Sequence, residues 1–583
     1  MDAPFCLFDD ASAGGEDALL FAAPGRILVA NALDEVVPVL AQVREALAKG
    51  HHVAGYLAYE AGHALDPALE DSVRKGDGPL AWFGLFEPPR RISKAELAGL
   101  IAQAGEARIA EPRPRIERHV YISAAKAVRE ALYAGDYYQA NLTFQNDVAV
   151  GGHPLALYGL LRANGGGAWG GVISTGERDL VSLSPEQFFR IEKNCIEAKP
   201  MKGTAPRGGD EVEDRALAEA LASDEKQRAE NLMIVDLLRN DMARVSVAGS
   251  VKVPDLFRVE SFPTVHQMVS RITADLSPRA DAVEALLSLF PCGSVTGAPK
   301  IAAIEALGRL EKEPRGAYTG SMGWMAPGGD AAFNVMIRTL ERVTGSPQAR
   351  LGLGSGLVVD SIPAHEWDEC CLKGKFVAAA ASTFDLIETM RYDPHDGIVA
   401  LEAHLLRMKE AAAELGFAYD RHDARNELQA ATFGKRDVSL VRLLLSPSGA
   451  MAIEVRALGP APSEPVDVEI VPLDIEPGDF RLAYKTTDRD FYDRPREASK
   501  AHEVVFERAD GTITEGSRSS VFVKREGVLV TPPRSAGLMP GVFRQGLLDE
   551  GKAVEGNLTR ADLAGGFFIG SSARGLLEAR LAP

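Results

Sequence analysis

In SIPAHEWDECCLKGKF, Ser361 and Pro363 mark a helix start, and Glu366 and Glu369 fall on one helix face with Lys373 a further turn along. In SDEKQRAENLMIVDLLRND, Ser223 can cap a helix on which Gln227, Glu230 and Ile234 form one stripe. Two helices that each offer oxygen ligands could hold Mg²⁺, which takes one or two carboxylates and completes its octahedron with water and an anionic substrate. The same spacing also describes two solvated helix faces. Glycine segments accompany both. GSVTGAPK (Gly293 to Lys300) precedes a helix opened by Pro299, a geometry that offers backbone N–H groups to an anion, and GLGSGLV (Gly352 to Val358) runs into the Glu366 helix. Either could equally be a tight turn.

The C-terminal part carries a different set: Lys485 in YKTTDRDFYDR, Glu515 in TITEGSRSSVFV, Arg407 in HLLRM, and a late GSSARG. Pyridoxal phosphate chemistry needs such groups: a lysine for the Schiff base, a carboxylate to keep the pyridinium nitrogen protonated, and donors around the phosphate. Taken singly, each is an ordinary surface residue.

These side chains must be positioned by a mixture of elements. Helical patterns at Tyr121 to Ala134, Glu211 to Arg244, Asp281 to Phe290 and Pro299 to Leu310 alternate with strand-like runs such as QANLTFQNDVAV, GGVIST and ARLGLGSGLVV. A surface helix is expected between the prolines of Pro88 to Arg115. The texture changes at FVAAAASTFDLIETMRYD, which places a domain boundary near residue 380: residues 1–379 form one unit and 380–583 another. In the second, LEAHLLRMKEAAAELGF is an amphipathic helix followed by strands VSLVRLLLS, AMAIEVRAL and VDVEIVPL. The fold class is α+β.

At 583 residues, 46% apolar and 25% charged, the chain can bury a large core without disulfides. Its five cysteines include no CxxC pair, which argues against a zinc ribbon or a secreted cystine framework and favours a reducing cytoplasm. The segment MDAPFCLFDD lacks the basic and apolar regions of a signal peptide and no 18 uncharged apolar residues run together, so neither export nor a membrane span is expected. A net charge of −18 repels nucleic acid, and an anionic substrate must be captured by a local device.

KPMKGTAPRG, AENLMIVDLLRND, FPCGSVTGAPK, FNVMIRT and GSGLVVDSIPAHEWDE occur in the order and spacing of the chorismate-utilising enzymes, a family that includes anthranilate synthase, isochorismate synthase and aminodeoxychorismate synthase component I. The resemblance implies a large α/β sandwich. The lysine inside P-x-K-G-T, Lys202, resembles that of aminodeoxychorismate synthase component I and is implied to attack C2 of chorismate, after which ammonia enters at C4. Glu186 matches the general acid, and its pKa is expected to be raised by burial. Glu230 and Glu369 match direct Mg²⁺ ligands and Glu366 an outer carboxylate. Thr296, Tyr318, Arg338, Gly354, Gly356 and Lys373 match substrate-binding positions, and His266 a pocket position. Two departures are visible: Gln227 stands where relatives carry an acid, and Cys292 replaces a glycine of FPGGS, with only a local packing change expected.

FDLIETMR, HLLRM, KTTDRDFYDR, EGSRSSVFV, LMPGVFR and GSSARG resemble, in that order, the fold-type IV pyridoxal phosphate enzymes, which include 4-amino-4-deoxychorismate lyase and branched-chain aminotransferase. The resemblance makes Lys485 the Schiff-base lysine and Glu515 the partner of the pyridine nitrogen. Arg407, the backbone at Val542 and Phe543, and Ser572 would hold the phosphate, with Arg391 and Arg574 as substrate contacts. It also implies a homodimer through this part of the chain. Motifs alone leave a lyase, an aminotransferase or a non-catalytic dimerisation module open, and leave an anthranilate-type or isochorismate-type product open for the first half. The fusion itself favours a bifunctional route from chorismate to 4-aminobenzoate. No glutaminase nucleophile elbow is present, so ammonia is expected from a separate glutamine amidotransferase.

Overall fold

The computed structural model describes residues 3–12, 14–72, 74, 76–165, 167–261 and 265–583. Two large, mostly antiparallel sheets dominate the first unit. In one, the strands Gln139–Gly151, Gln348–Leu357, Thr339–Val343, Arg178–Ser182, Gly170–Ser174 and Phe5–Asp9 lie side by side in that order. In the other, Met201–Pro206 is an end strand beside Val265–Asp275, and the sheet continues through Cys195–Lys199, Gln187–Glu192, Ala331–Asn334 and Ser321–Met325.

Strand residues alternate between faces, and here both faces are covered. Cys6, Phe21 and Ile173 from one sheet meet Tyr56, Trp82 and Met322 from the other in a shared core. The outer face of the first sheet packs on helices through Tyr121, Tyr158, Leu307 and Trp367. The outer face of the second packs on helices through Leu40, Ile234, Leu238 and Leu286. The result is four layers, helix, sheet, sheet, helix, which explains why strands such as Phe5–Asp9 read as continuous apolar runs.

Helix ends follow their capping chemistry. Ser93 and Glu96 form a capping box at Lys94–Gln103, the surface helix expected between prolines. The single helix expected over Glu211 to Arg244 is two, Glu211–Ser223 and Glu225–Ala243. The break falls at Asp224, whose extended backbone and carboxylate, accepting the Gln227 N–H at 2.9 Å, start a new helix, so the cap is Asp224 and not Ser223. Pro299 opens Lys300–Leu310, but the residues before it, Gly297–Ala298, pair with Gln139 and Ala140 as a short strand instead of presenting N–H groups to an anion.

The second unit has a four-stranded antiparallel sheet containing Leu386–Asp393, Ser439–Leu445 and Met451–Ala457, covered by the amphipathic helix Leu401–Leu415. An eight-stranded mixed sheet follows, in which Val466–Pro472 runs parallel to Glu503–Glu507. The whole is α+β. No helix among the described residues is long and apolar enough to cross a membrane.

Candidate active site

Lys202 sits on the end strand Met201–Pro206, and the loop after Gln348–Leu357 leads into the helix Pro363–Lys373, whose Glu369 and Lys373 lie within electrostatic reach of it. Its amine is buried and faces Gly356: a Cβ added at Gly356 would lie 2.9 Å from Lys202 Nζ and 2.7 Å from Gln139 Nε2. A side chain at Gly356 would occupy the space where the amine and the Gln139 amide now lie and would push both aside. Burial, reinforced by the charge of Lys373, lowers the Lys202 pKa against the opposing pull of Glu230, Glu186 and Glu369. The shift is in the direction of an uncharged amine.

Glu186 is buried, and burial raises its pKa to about 7 although the Ser294 hydrogen bond and the charges of Lys202 and Lys373 oppose the rise. Ser294 Oγ donates to Glu186 Oε1 at 2.7 Å and lies 3.2 Å from Cys292 Sγ. Cys292 is therefore more than a packing change: its thiol, pushed up to about 12 chiefly by burial, is the outer member of a hydrogen-bonded chain ending on Glu186.

Tyr318 is buried with its ring against Gly352, and Arg338 occupies a left-handed backbone position at φ 51°. No acceptor from the described residues meets the Arg338 guanidinium, and its burial lowers the pKa, which leaves a cation ready for an anion. Lys373 Nζ donates to the Gly354 carbonyl at 2.9 Å and pairs with Glu369 at 2.8 Å. Two expected contacts are otherwise engaged. His266 uses both ring nitrogens on Ser261 Oγ and Asp214, and so fastens the helix Glu211–Ser223 to its strand. The Thr296 hydroxyl turns back onto the carbonyls of Cys292 and Gly293.

The carboxylates expected as metal ligands do not converge as one set. Among the described residues, no group of three or more His, Cys, Asp or Glu side chains forms a metal cage. Lys373 holds Glu369, and the charges of Lys202 and Lys226 face Glu230, whose pKa is nevertheless raised by burial and by repulsion from Glu366 and Glu369. Such partly repelling carboxylates suit a hard cation that keeps most of its water and needs one or two protein oxygens. The chemistry of Glu230 and Glu369 is compatible with that demand.

Gln139 was not legible as a site residue. Its side chain is buried, and among the described residues both amide atoms lack a hydrogen-bond partner, although Nε2 faces the point where Lys202 and Gly356 meet. A buried amide with neither donor nor acceptor satisfied is costly unless a ligand completes it.

In the second unit, Lys485, Glu515, Arg407, Val542, Phe543, Ser572 and Arg574 all line one cavity of about 580 Å³. Lys485 is half-buried, and desolvation of its amine, which outweighs the pull of Glu388, lowers its pKa to about 7. Burial raises Glu515 to about 7 against the Tyr492 hydroxyl and the Met539 N–H, which both donate to its Oε1. Gly541 precedes the helix Val542–Asp549, so the N–H groups of a helix start open onto the cavity opposite the Ser571–Ala573 turn. Arg407 pairs in a fork with Glu388 and donates to the Pro540 carbonyl, leaving only its remaining N–H groups for a phosphate. His404 Nδ1 donates to the same Glu388, and its Nε2, buried and without a partner, lies in the cavity wall.

Two expected substrate contacts differ. Arg391 is outside the lining: it pairs with Asp393, two residues further along the same face of its strand. Arg574 lines the cavity, but its guanidinium clamps the carbonyls of Leu458 and Pro460. Arg442, Arg456, Arg489 and Arg496, none of them singled out from sequence, give the wall its positive charge.

A four-layer sandwich whose buried lysine lies beside a raised carboxyl defines one class of enzyme. The chain belongs to the chorismate binding enzyme family, whose match covers residues 6–379, and a second match, to the class IV amino-transferases, covers residues 385–581. Anthranilate synthase component 1 of Methanothermobacter marburgensis is 35% identical over 341 residues, 55% of this chain and 73% of that one. Aminodeoxychorismate synthase component 1 of Escherichia coli is 41% identical over 252 residues, 43% of this chain and 55% of the relative. The crystal structure of anthranilate synthase component I from Streptococcus pneumoniae has the same fold, with a TM-score of 0.53 at 24% identity over 63% of this chain and 93% of that one. The class IV match implies pyridoxal phosphate. The second cavity fits that cofactor: a desolvated lysine of lowered pKa, a protonatable carboxylate and a helix start surround one space.

Proposed function

We propose that the chain makes 4-aminobenzoate from chorismate and ammonia in two steps, one in each unit. What carries this is Lys202, a buried amine of lowered pKa beside a carboxyl raised to about 7. In the first step the neutral Lys202 amine bonds to C2 of chorismate. The two conjugated ring double bonds shift together, and Glu186 gives its proton to the C4 hydroxyl, which leaves as water. Ammonia then bonds at C4, both double bonds return, Lys202 departs with its electron pair, and a proton of the new ammonium group restores Glu186. Glu230 and Glu369 would hold Mg²⁺, which neutralises the ring carboxylate. Arg338, unpaired among the described residues, is suited to a second carboxylate. The amide of Gln139 can offer one donor and one acceptor to the departing hydroxyl or the arriving ammonia.

In the second step, 4-amino-4-deoxychorismate loses a ring proton and pyruvate, and the ring becomes aromatic. Lys485, Glu515, the helix start at Val542 and Phe543, Ser572 and Arg407 would hold pyridoxal phosphate, which supplies the electron sink for proton loss. Lys485, whose lowered pKa of about 7 leaves a sizeable share of neutral amine near neutrality, can accept the proton from carbon, and the arginines of the wall can seat the substrate's carboxylates. The ammonia is supplied by a separate glutamine amidotransferase, the enzyme works in the cytoplasm, and two copies associate through the residue 380–583 unit.

The test is incubation of chorismate with Mg²⁺ and ammonium, with and without pyridoxal phosphate. The expected result is 4-aminobenzoate and pyruvate in equal amounts with the cofactor, and an amino compound retaining the enolpyruvyl group without it. The anthranilate synthase relative supports a second product, 2-aminobenzoate. Its formation regardless of cofactor would overturn the proposal.

A further inference from the structure

The segment that carries Lys485 is clasped between the two units. Upstream, a Cβ added at Gly478 would lie 1.9 Å from the Gly345 carbonyl oxygen, so this backbone meets a turn of the first unit at closest approach. Asp479, which caps the short helix Phe480–Ala483, rests on Gly151, where an added Cβ would come 2.2 Å from Asp479 Oδ2. Phe480 is buried in a cluster with Ala110 and Ala149 of the first unit, and Leu482 packs the other way, on Tyr492, Val504 and Phe506. Gln348 Nε2 donates to the Tyr484 hydroxyl at 3.4 Å. Downstream, Asp488 accepts from Arg108 Nε at 3.1 Å and from Arg481 at 3.4 Å.

The backbone on which Lys485 itself lies is also suspended from the first unit. The Lys485 carbonyl accepts the Ile387 N–H at 2.9 Å, and Thr487 N donates to Asp385. Residues 385–387 follow directly from Ser382, whose N–H donates to the Ile109 carbonyl at 2.9 Å. Glu515, Gly541 and Val542, which complete the cavity, belong to other elements of the second unit. The position of the amine relative to those groups therefore depends on how the two units meet.

We propose that the first unit positions Lys485 for the second: Arg108, through Asp488, and the Gly345–Gly478 backbone contact hold the lysine segment in register with the cavity. This rests on the pyridoxal phosphate reading of the second unit. Arg108 is a positioning residue, since it touches neither cavity nor substrate.

The test uses the full chain with Arg108→Ala, Arg108→Lys, Gly478→Ala and, as a control, Glu414→Gln, which loses an ion pair with Arg113 that also joins the units but does not touch the segment. Hydrogen exchange without cofactor is measured over residues 478–489. It should accelerate about fivefold in Arg108→Ala, the scale of a half-exposed ion pair, and return to the parent rate in Arg108→Lys. With pyridoxal phosphate, the pH midpoint of the visible band should shift in Arg108→Ala and Gly478→Ala. Pyruvate release should fall about tenfold or more, because small misplacements of a reacting group cost up to about a hundredfold. Chorismate consumption should not change. Exchange rates and midpoint equal to the parent's in Arg108→Ala, or equal effects in Glu414→Gln, would overturn the inference. A parent chain with no visible band would instead overturn the pyridoxal phosphate reading, and the exchange data would still decide the positioning.

Discussion

Replacing Ser294 with alanine removes the donor to Glu186 while leaving Glu186 and Lys202 in place. The hydrogen bond, 2.7 Å long between two buried groups, favours the carboxylate, so its loss must raise the Glu186 pKa above about 7. Hydrogen bonds to charged groups contribute about 1.5–3 kcal/mol, and each pKa unit corresponds to about 1.4 kcal/mol, so the shift is about one to two units. A water entering the space of the lost hydroxyl brings it to the lower end. As a general acid, Glu186 must be protonated for turnover, and its titration sets the alkaline limb of kcat/KM for chorismate. The assay is chorismate consumption between pH 6 and 9 at fixed free ammonia, with Mg²⁺ saturating. In Ser294→Ala this limb should move to higher pH by about one unit. Cys292→Ala, which removes only the outer link of the chain, should move it less. A limb that stays in place or moves to lower pH would refute Glu186 as the acid under Ser294 control.

Lys485 predicts a pH dependence of stability. Its folded pKa of about 7 lies below the ordinary 10.5, so the unfolded chain binds more protons between those values and stability must rise with pH across them, by at most about 5 kcal/mol from this group. Urea unfolding of cofactor-free protein at pH 7 and pH 9 should show a smaller rise in Lys485→Met than in the parent, and equal rises would refute the desolvation. Gln139→Leu should stabilise the fold by about 1–3 kcal/mol by removing an unsatisfied buried amide, yet slow chorismate consumption about tenfold or more. Loss of stability would mean that the amide has a partner in the free protein. Tyr492→Phe deprives Glu515 of one of its two donors, and the Kd for pyridoxal phosphate, followed by its visible absorbance, should rise roughly fivefold to thirtyfold. An unchanged Kd would place Glu515 away from the cofactor.

The sequence alone determined the chemical inventory and much of the local structure. Two lysines, their carboxylates and the glycines flanking them were readable as motifs, because each occupies a short segment whose residue types are fixed by turn, strand or cap. Helix starts at Ser93 and Asp281 follow from side chains that satisfy their own helix's N–H groups. Only the tertiary structure decided what surrounds those residues. Strand pairing sets Gly356 opposite Asn141, across a gap in sequence that no local pattern spans, and this brings the orphaned amide of Gln139 to Lys202. His266, Arg391 and Arg574 kept their places in the motifs but found partners elsewhere, since a polar side chain bonds to whatever the fold brings within reach. The pKa of a lysine or glutamate is set by the solvent it loses. That loss comes from distant segments packing over it, which is why Lys202, Glu186 and Lys485 become reactive groups only in the folded chain.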